Sequence, residues 1–473
     1  MNIETLAAKY SAIPSHWRLS TLGESLTAII GGGTPSRDNP SFWGGDIPWL
    51  TVKDMRGRRP TDAQEHITQQ AVKESATNII PPETVIMASR VGLGKVVRVP
   101  FSTAINQDLK ALVVGPDLDK SYLEYWLLSI ATFLESIGSG TTVKGIRLER
   151  LRQLPIPLAP LQEQREIVAE LEKQFSRLDE AVANLQRVKA NLKRYKASVL
   201  KAAVEGRLVE TEATQARRDD RTYETGEQLL QRLLLARPDQ WSARGRYVEP
   251  LPAETKDLSP LPAGWKWASI DQLSDFITKG TTPAATKLFD GSGDVQFLKI
   301  YNLTFDGSLN HTHKPAYVSR ATHKDELARS QVFPGDVLIN IVGPPLGQVS
   351  VVPVHVEEAN INQAIARIRP IKPIGSDFIA VTLMCDDIMR WAIRRGKTTA
   401  GQANLTLELC RALPIPVPPL AEQTRIVAEV DRHLSIIREV ESAADANLQR
   451  AQALRQATLA KAFTSSPQSK STV

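Results

Sequence analysis

The chain has 473 residues, of which 42% are hydrophobic and 23% charged, a balance that excludes a disordered chain and is typical of a protein with a substantial core. Because single hydrophobic cores rarely extend beyond about 250 residues, this length predicts two or more domains. The net charge of +6 and the pI near 9.1 permit nucleic-acid binding without requiring it.

Membrane and redox signals are weak. No segment has the roughly 18 consecutive apolar residues that a membrane span needs, and the N-terminus lacks a basic region followed by an apolar one. We therefore expect a cytoplasmic protein with no membrane partner. Cys385 and Cys410 have neither CxxC spacing nor a nearby histidine, so we expect two free thiols in a core and no bound metal.

The chain contains an internal repeat. PSHWRLSTLGE near the N-terminus, GGTPS from Gly32 and IPWLTVKDM from Ile47 match PAGWKWASIDQ, GTTPA and VQFLKIYNL at a shift of 248 residues. AINQDLKAL from Ala104 matches NINQAIARI, and LPIPLAPLQEQREIVAELE from Leu154 matches LPIPVPPLAEQTRIVAEVD. The shift changes only where loops can take insertions, so we predict two copies of a whole domain plus helix. The copies could be two similar readers with different targets, or a duplication with a purely structural role.

Each copy has the pattern of a mixed α/β domain. In the first copy, IPWLTV, ETVIMAS, KVVRV and KALVV have the length and β-branched content of short strands. One helix should follow in each copy, at SYLEYWLLSIATFLESI from Ser121 and at DFIAVTLMCDDIMRWAI from Asp377. Long alternating strand and helix units are absent, which favours a curved sheet over a doubly wound one.

A long helix is predicted after each proline-rich segment, over residues 161–203 and 420–463. Apolar residues there alternate at spacings of three and four, as in a heptad repeat. The predicted seam consists of Val168, Leu171, Phe175, Leu178, Val182, Leu185, Leu192, Val199, Val427, Val430, Leu434, Ile437, Ala444, Leu448 and Ala451. Each helix would be roughly 65 Å long at ~1.5 Å per residue. Their similar lengths predict an antiparallel two-helix coiled coil that separates the domains, although each helix could instead bind a partner helix independently.

The remaining segments complete the predicted organisation. Residues 208–260 are polar and interrupted by prolines, which predicts a linker with one helix at GEQLLQRLLLARP. The predicted segments are a first domain over 1–158, a helix segment over 159–207, the linker, a second domain over 261–417, a second helix segment over 418–464, and a disordered tail over 465–473.

Catalytic motifs are missing. IIPPET and VGPPLG lack the acid or amide before the prolines, and the aromatic after them, that an amino-methyltransferase needs, and no GxxxxGK[ST] phosphate loop is present. Pro238, Asp239, Glu254 and Lys256 match a metal-dependent nuclease pattern formally, but no strands flank them to hold the carboxylates together. We therefore expect no enzymatic activity and no catalytic residue. Two alternatives to a subunit that only recognises its target stay open: an enzyme that acts on DNA by itself, and a structural DNA scaffold without base selectivity.

In this order, the features resemble specificity subunits of Type I restriction-modification enzymes across nearly the whole chain. The matching segments are PSHWRLSTLGE, GGTPS with FWGGDIPWL, PLQEQREIVAELE, YETGEQLLQRLLLARP and PAGWKWASIDQL. The resemblance implies two target-recognition domains that read the two parts of an interrupted double-stranded DNA target. It also implies that the helices dock two modification subunits, which bind S-adenosylmethionine and methylate adenine. Two restriction subunits would use ATP and Mg²⁺ to translocate and cut DNA, and this chain would bind no cofactor itself.

Candidate DNA contacts are basic side chains, because phosphates attract cations and guanine edges favour Arg and Lys. In the first domain they are Lys53, Arg56, Arg58, Arg59, Arg90, Lys95, Lys144 and Arg147. In the second they are Lys279, Lys287, Arg394, Arg395 and Lys397. A further basic cluster on the first long helix could face DNA, acidic partner surfaces or solvent: Arg187, Lys189, Lys193, Arg194 and Lys196. For each residue, a solvated charge is the simple alternative.

Overall fold

The structure is a computed structural model that describes residues 2–139, 144–239, 246–343, 346–399 and 402–465, without the side chains of 397–399 and 402–403. The chain divides into two compact units, which we call unit 1 (Met1–Gln186 with Asp445–Val473) and unit 2 (Arg187–Ala444). Each unit contains one copy of the repeat and part of both long helices.

Unit 1 is a mixed α/β domain. Its strands are β1 (Arg18–Thr21), β2 (Leu26–Gly31), β3 (Trp43–Leu50), β4 (Glu65–Ile67), β5 (Ile79–Ile80), β6 (Val85–Ala88), β7 (Val96–Arg98), β8 (Thr103–Ile105), β9 (Leu109–Val114) and β10 (Pro155–Leu158). Its helices before the long one are α1 (Ile3–Lys9), α2 (Leu22–Ser25), α3 (Gln69–Glu74), α4 (Lys120–Ser129), α5 (Ala131–Ile137) and α6 (Leu148–Arg152).

The strands of unit 1 form two sheets and a ribbon rather than the single curved sheet that we expected. One sheet has the antiparallel order β2-β9-β6-β7, and the other has the order β4-β3-β8-β5 with β3 and β8 parallel. Strands β1 and β10 pair separately as an antiparallel ribbon. Register shifts interrupt the regular pairing within β2 and within β3.

Unit 2 repeats this plan with additions. After the first long helix, α7 (Leu161–Val204), come the helices α8 (Glu212–Arg218), α9 (Gly226–Ala236), α10 (Arg320–Lys324), α11 (Ser376–Leu383), α12 (Asp386–Arg395), α13 (Leu407–Arg411) and the second long helix, α14 (Leu420–Ala462). The strands are β11 (Lys266–Ser269), β12 (Ser274–Lys279), β13 (Phe289–Asp290), β14 (Val295–Leu298), β15 (Ala316–Val318), β16 (Gln331–Val332), β17 (Val337–Asn340), β18 (Val349–Val351), β19 (Ala359–Ile361), β20 (Ile365–Pro370), β21 (Lys397–Thr399), β22 (Gln402–Asn404) and β23 (Pro414–Val417).

The sheet topology of unit 2 matches that of unit 1 strand for strand. The order β12-β20-β17-β18 corresponds to β2-β9-β6-β7, and β15-β14-β19-β16 corresponds to β4-β3-β8-β5. The ribbon β11-β23 corresponds to β1-β10, while β13 and the β21-β22 hairpin are additions. The predicted duplication of a mixed α/β domain is therefore confirmed by the topology.

The middle strand of each main sheet is buried on both faces. In β6, Val85 and Met87 pack against the helices, while Ile86 and Ala88 pack against the second sheet. Strand β17 of unit 2 divides its side chains between two cores in the same way. Side chains alternate between the faces of a strand, so burial of both faces requires the continuous apolar runs seen in the sequence.

Both long helices are present with the expected lengths. All the predicted seam residues are buried or half-buried, and the most deeply buried are Leu171, Phe175, Val430, Leu434, Ile437 and Ala444. Their alternating spacing of three and four residues places them on one side of each helix.

The side-chain contacts between the two long helices are those of an antiparallel pair. In unit 1 the Arg455 guanidinium lies 4.6 Å from the centre of the Phe175 ring and forms an ion pair with Asp179. In unit 2 the Tyr195 hydroxyl lies 2.8 Å from Nδ1 of His433. Residues later in α7 thus contact residues earlier in α14, as an antiparallel pair requires.

The two helices predicted from Ser121 and Asp377 are each broken into two. Ile130 leaves helical geometry between α4 and α5, with ψ of 13°, and Cys385 is extended between α11 and α12, with ψ of 125°. Neither break contains the Pro or Gly that would mark it in the sequence. In the second case Asp386 and Asp387 lie in the first turn of the new helix, where acidic side chains interact favourably with the helix dipole.

The linker contains two helices, so the prediction of one was incomplete. Helix α8 begins after Thr211, whose side chain accepts a hydrogen bond from the Thr214 amide. A long-range contact stabilises this turn, because the Glu212 amide donates to the buried Glu422 carboxylate at 2.8 Å. Helix α9 buries Leu229, Leu230 and Leu233 in the core of unit 2, so the linker is an integral part of that unit.

Both cysteines are free and buried, as predicted for core thiols. Burial raises the pKa of Cys410 to about 12, which keeps this thiol protonated at neutral pH. No helix in the described ranges is both long and apolar enough to cross a membrane.

One close backbone approach recurs in both units. An ideal Cβ on Gly32 would lie 2.0 Å from the Ile105 carbonyl oxygen, and one on Gly280 would lie 2.1 Å from the Ile361 carbonyl oxygen. These distances leave no space for a side chain, so glycine at both positions allows the loop after β2 or β12 to lie directly against the chain after β8 or β19.

We predict that Gly280→Ala destabilises the protein, because the added methyl group forces the backbone of this loop to shift. The cost should be about 1–3 kcal/mol, typical of overpacking. Gly375→Ala is the control in the same unit, because a Cβ there meets nothing within 4 Å. Calorimetric melting should show a lower Tm for Gly280→Ala than for Gly375→Ala, and equal melting temperatures would contradict the prediction.

Candidate nucleic-acid interface

The basic segment KDMRGRRP lies in a loop after β3 that a buried aspartate organises. The Asp54 carboxylate accepts hydrogen bonds from the Thr51 amide at 2.7 Å, the Thr51 hydroxyl at 2.8 Å and the Gln64 amide at 2.9 Å. These bonds join the beginning and the end of the loop, which we call reader loop 1 (residues 51–64). A carboxylate that accepts hydrogen bonds from backbone N–H groups can hold a loop in one conformation even where the loop has no regular secondary structure.

A second anchor of reader loop 1 is the buried carboxylate of Glu124 on α4. Arg58 Nε and Arg59 Nη1 both lie 2.8 Å from its Oε1, and Arg98 Nε lies 2.7 Å from its Oε2. Arg58 also donates to the Tyr125 hydroxyl at 2.7 Å. Three guanidinium groups therefore surround one carboxylate that is completely inaccessible to solvent.

This cluster shifts the pKa values of its members. Burial alone would raise the pKa of Glu124, but the hydrogen bonds and charges of Arg59 and Arg58 outweigh it and hold that pKa below its ordinary value. Burial would lower the pKa of Arg58, and the nearby Glu124 carboxylate raises it instead. Arg58 and Arg59 thus have a structural role in attaching the loop to α4, which sequence reasoning did not foresee, and their proposed DNA contacts stay a prediction.

Lys53 and Arg56 are the exposed cations of reader loop 1 that do not contact Glu124. Among the described residues, neither has an acidic group within 4 Å. The charge of Lys53 helps to lower the pKa of Glu65, but neither side chain forms an ion pair in the described part of the chain, so both are available to phosphates or to base edges from a loop that is fixed at both ends.

The other candidates of unit 1 are distributed around the same domain. Arg90 lies 3.7 Å from the Asp108 carboxylate and is half exposed, and Lys95 is exposed on the following turn. Lys144 and Arg147 are exposed before α6, and Arg147 is the residue that precedes this helix. The isolated bridge between Arg90 and Gly145 brings these two segments together.

Two of the candidates in unit 2 are engaged in ion pairs. Lys287 Nζ lies 2.5 Å from the Glu326 carboxylate. Arg395 lies 2.8 Å from the Asp257 carboxylate of the linker and 4.4 Å from the centre of the Trp391 ring. Both side chains therefore already have acidic partners, and a DNA contact from either would have to compete with that ion pair.

The remaining candidates of unit 2 are less constrained. Lys279, at the end of β12, and Arg394, on α12, are exposed. Lys397 lies in β21, and its side chain falls outside the described part of the chain.

Sequence reasoning missed the counterpart of reader loop 1 in unit 2, which we call reader loop 2 (residues 299–314). Asn302 occupies the position of Asp54 in the repeat. Its Oδ1 accepts from the Lys299 amide, and its Nδ2 donates to the carbonyls of Asn310 and His313, each at 2.9 Å. The repeat itself carried the signal, since VQFLKIYNL already aligned with IPWLTVKDM.

Reader loop 2 presents a different surface from reader loop 1. Its exposed side chains include Tyr301 and Phe305, and the Tyr301 ring packs edge-on against His313 at 5.8 Å. Of the basic cluster on α7, Lys196 donates from Nζ to the Phe305 carbonyl at 2.5 Å, and burial lowers the pKa of this lysine. Reader loop 2 thus presents exposed aromatic rings, which reader loop 1 lacks, together with an exposed lysine, Lys314.

Nothing in the described ranges resembles a metal centre: no group of three His, Cys, Asp or Glu side chains is arranged as ligands. Glu254, part of the formal nuclease pattern, lies 3.6 Å from Arg395. The Glu254 carboxylate thus has a basic partner in the structure, and its position does not require a metal ion.

The duplicated topology agrees with a family model. The model described as Type I restriction modification DNA specificity domain matches residues 14–193 and 262–448. The chain belongs to this family. Each match covers one copy of the specificity domain together with the helix segment that follows it.

Relatives and a solved structure show the same likeness. The chain is 30% identical over 165 residues to the Type I restriction enzyme MjaIX specificity subunit of Methanocaldococcus jannaschii, covering 34% of this chain and 38% of that protein. It is 27% identical over 351 residues to the EcoBI specificity subunit of Escherichia coli, covering 73% of this chain and 66% of that one. The chain thus spans well under half of the first relative and about two thirds of the second. A structure described under complex assembly and conformational transition of the type I R-M system matches in fold, with a TM-score of 0.64 at 20% identity over 95% of this chain and 98% of that one.

We predict that Glu124→Gln destabilises the specificity domain of unit 1, because three guanidinium groups, of which that of Arg98 is largely buried, lose their carboxylate. Breaking such a buried pair costs about 3–5 kcal/mol. Since the folded-state pKa of Glu124 is lowered, its stabilising effect is complete at neutral pH and is lost as the pH falls below about 4.3 and through the folded pKa.

Thermal unfolding as a function of pH measures this effect. The Tm of Glu124→Gln should lie well below that of the wild type at pH 7, and the gap should narrow in acid. Glu135→Gln is the control, because Glu135 is exposed on the adjacent helix α5. A pH-independent gap, or an equal loss in the control, would argue against the cluster as the cause.

Proposed function

We propose that this chain is the non-catalytic DNA-recognition subunit of a Type I restriction-modification complex. In this proposal each specificity domain reads one part of an interrupted, asymmetric target in double-stranded DNA. The observation that carries the proposal is the presence of two specificity domains with the same topology and different reader loops.

The physical argument rests on what the two copies share and where they differ. Asp54 and Asn302 fix equivalent loops from equivalent positions, so the loops are held in comparable ways. Lys53 and Arg56 favour phosphates and guanine edges, whereas Tyr301 and Phe305 offer flat apolar surfaces. Two readers with different contact chemistry discriminate different base sequences, and this supports an asymmetric target.

The partners and cofactors follow from the same proposal. We infer that two modification subunits bind S-adenosylmethionine and methylate adenine, and that two restriction subunits use ATP and Mg²⁺ to translocate and cut DNA. This chain then needs no cofactor of its own, and it works in the cytoplasm, where the DNA is. The absence of methyltransferase and phosphate-loop motifs from its sequence supports this division of labour.

Methylation mapping tests the proposal directly. Cells that express the chain together with its modification subunit should carry methyladenine in a split, asymmetric motif that disappears when the chain is removed. Methyl transfer or cleavage by the purified chain alone would favour a self-sufficient enzyme. Equal competition by duplexes of all sequences would favour a scaffold without base selectivity.

The two domains should contribute separately to the motif. We predict that Lys53→Ala with Arg56→Ala weakens or relaxes recognition of one half of the motif, by roughly 1–3 kcal/mol for each lost base contact. The other half should be unchanged, because unit 2 retains its own reader loop. Lys73→Ala, which removes an exposed lysine of α3 in the same unit, is the control. Equal relaxation of both halves would contradict one domain per half.

A further inference from the structure

An exposed pair of polar side chains occurs at the same position in both units. In unit 1 the Thr34 hydroxyl donates to Oε1 of Gln107, and in unit 2 the Thr282 hydroxyl donates to Oε1 of Gln363. All four side chains are exposed to solvent. An exposed hydroxyl-amide bond adds little to stability, since water can replace it, so its presence in both copies calls for a functional reason.

The backbone beneath the pair is fixed in both units. Gly32 and Gly280, two residues before the threonines, are the positions where no Cβ fits against the chain that carries the glutamines. The pair therefore sits on two segments held in van der Waals contact, and its geometry is set before any ligand binds.

The hydrogen bond also orients the glutamine amide. Because Oε1 of Gln107 and of Gln363 accepts from a threonine, the Nε2 group of each is the end that faces away from it. Neither Nε2 has a hydrogen-bond acceptor among the described residues. Each unit thus presents two unused amide N–H donors to solvent.

A lysine lies beside this pair in both units, but on opposite strands. In unit 1 Gly31 of β2 pairs across the sheet with Lys110 of β9. In unit 2 the corresponding pair is Lys279 of β12 with Ala366 of β20. Residues directly opposite on neighbouring strands share one face, so one positive charge is retained at this place although the strand that supplies it has changed.

Contacts in unit 1 confirm that the lysine belongs to the same surface. Lys110 Nζ lies 3.3 Å from the Gln107 carbonyl oxygen. A Cβ on Gly31 would lie 3.5 Å from that Nζ and would meet no other side chain within 4 Å. The Lys110 ammonium group therefore lies directly above Gly31. A lysine side chain introduced at position 31 would enter the same space.

We propose that each unit binds one DNA phosphate with this triad, Thr34, Gln107 and Lys110 in unit 1 and Thr282, Gln363 and Lys279 in unit 2. The inference rests on the proposed function and adds to it a contact that carries no base preference. The amide and ammonium groups are donors, as an anion requires. The reader loops differ between the units, whereas the triad is shared, and the feature of DNA that is the same at both half-sites is the phosphate backbone.

Charge variants of the triad test the proposal with the full chain and a random-sequence duplex as the probe. Gln107→Glu and Gln363→Glu keep the threonine bond but present an oxygen in place of the N–H donors. Each should weaken binding about tenfold, and the double variant about a hundredfold, since distant sites add in free energy. The association constant for DNA falls as the salt concentration rises, and Lys110→Ala should make this dependence shallower. The slope of the log association constant against log salt concentration should become less negative by roughly 0.9. Gln69→Glu, at an exposed position of α3, is the matched control for added charge.

A strand swap separates a phosphate contact from a packing effect. Gly31→Lys combined with Lys110→Ala copies the arrangement of unit 2 into unit 1, and it should restore the affinity and the salt slope that Lys110→Ala loses. A lysine needed for packing at position 110 would not be replaced from the opposite strand, so failure of this rescue with an unchanged melting temperature would overturn the proposal.

The remaining outcomes are equally decisive. Variants that bind the random duplex as tightly as the wild type would refute the phosphate contact. A changed preference among duplexes of defined sequence would assign the triad to base reading instead. Normal DNA binding with loss of the modification subunit in co-elution would assign it to partner docking. A wild-type chain that binds no duplex at all would refute the proposed function rather than the triad.

Discussion

Each copy of the repeat is closed by the pairing of its first strand with its last. Arg18–Thr21 pairs with Pro155–Leu158, and Lys266–Ser269 pairs with Pro414–Val417 in the same register. Prolines at alternate positions of β10 and β23 remove backbone donors from these strands, which disfavours a further strand on that edge of each ribbon. The ribbon places the beginning of the domain beside the residue where the long helix starts, and in unit 1 Ile156 and Leu158 of the ribbon pack in the same core as the first turns of that helix.

One contact at the junction recurs in both units, because Gln423 donates to the Pro418 carbonyl at 3.0 Å as Gln164 does to the Ala159 carbonyl, but the glutamate beside it is held differently. In unit 1 the Gln164 side chain donates to the Ala159 and Asp117 carbonyls, each at 2.8 Å, and Glu163 lies 2.8 Å from His16. In unit 2 Glu422 replaces Glu163 and is buried. Burial raises its pKa, and the Glu212 amide and the Trp265 indole donate to its carboxylate. The linker thus becomes a structural part of unit 2, which a purely polar tether would not do.

A constant scaffold with variable loops is the arrangement that the proposed pair of DNA readers requires. The sheets, the ribbon, the close glycine approach and the triad recur in both units, whereas the exposed side chains of the reader loops do not. The loops can differ because their anchors, Asp54 and Asn302, bind backbone groups and leave the outward side chains unconstrained. Specificity can therefore change in one unit without disturbing its core.

The sequence alone determined the repeat, the mixed α/β class and the long helices, because periodicity and self-similarity are local properties of the chain. It could not reveal the breaks at Ile130 and Cys385, since neither contains Pro or Gly. Nor could it reveal that Arg58 and Arg59 are bound by Glu124, more than sixty positions away. Only the tertiary structure decides which charges are neutralised and which stay free, because ion pairing depends on distances between segments that are remote in sequence.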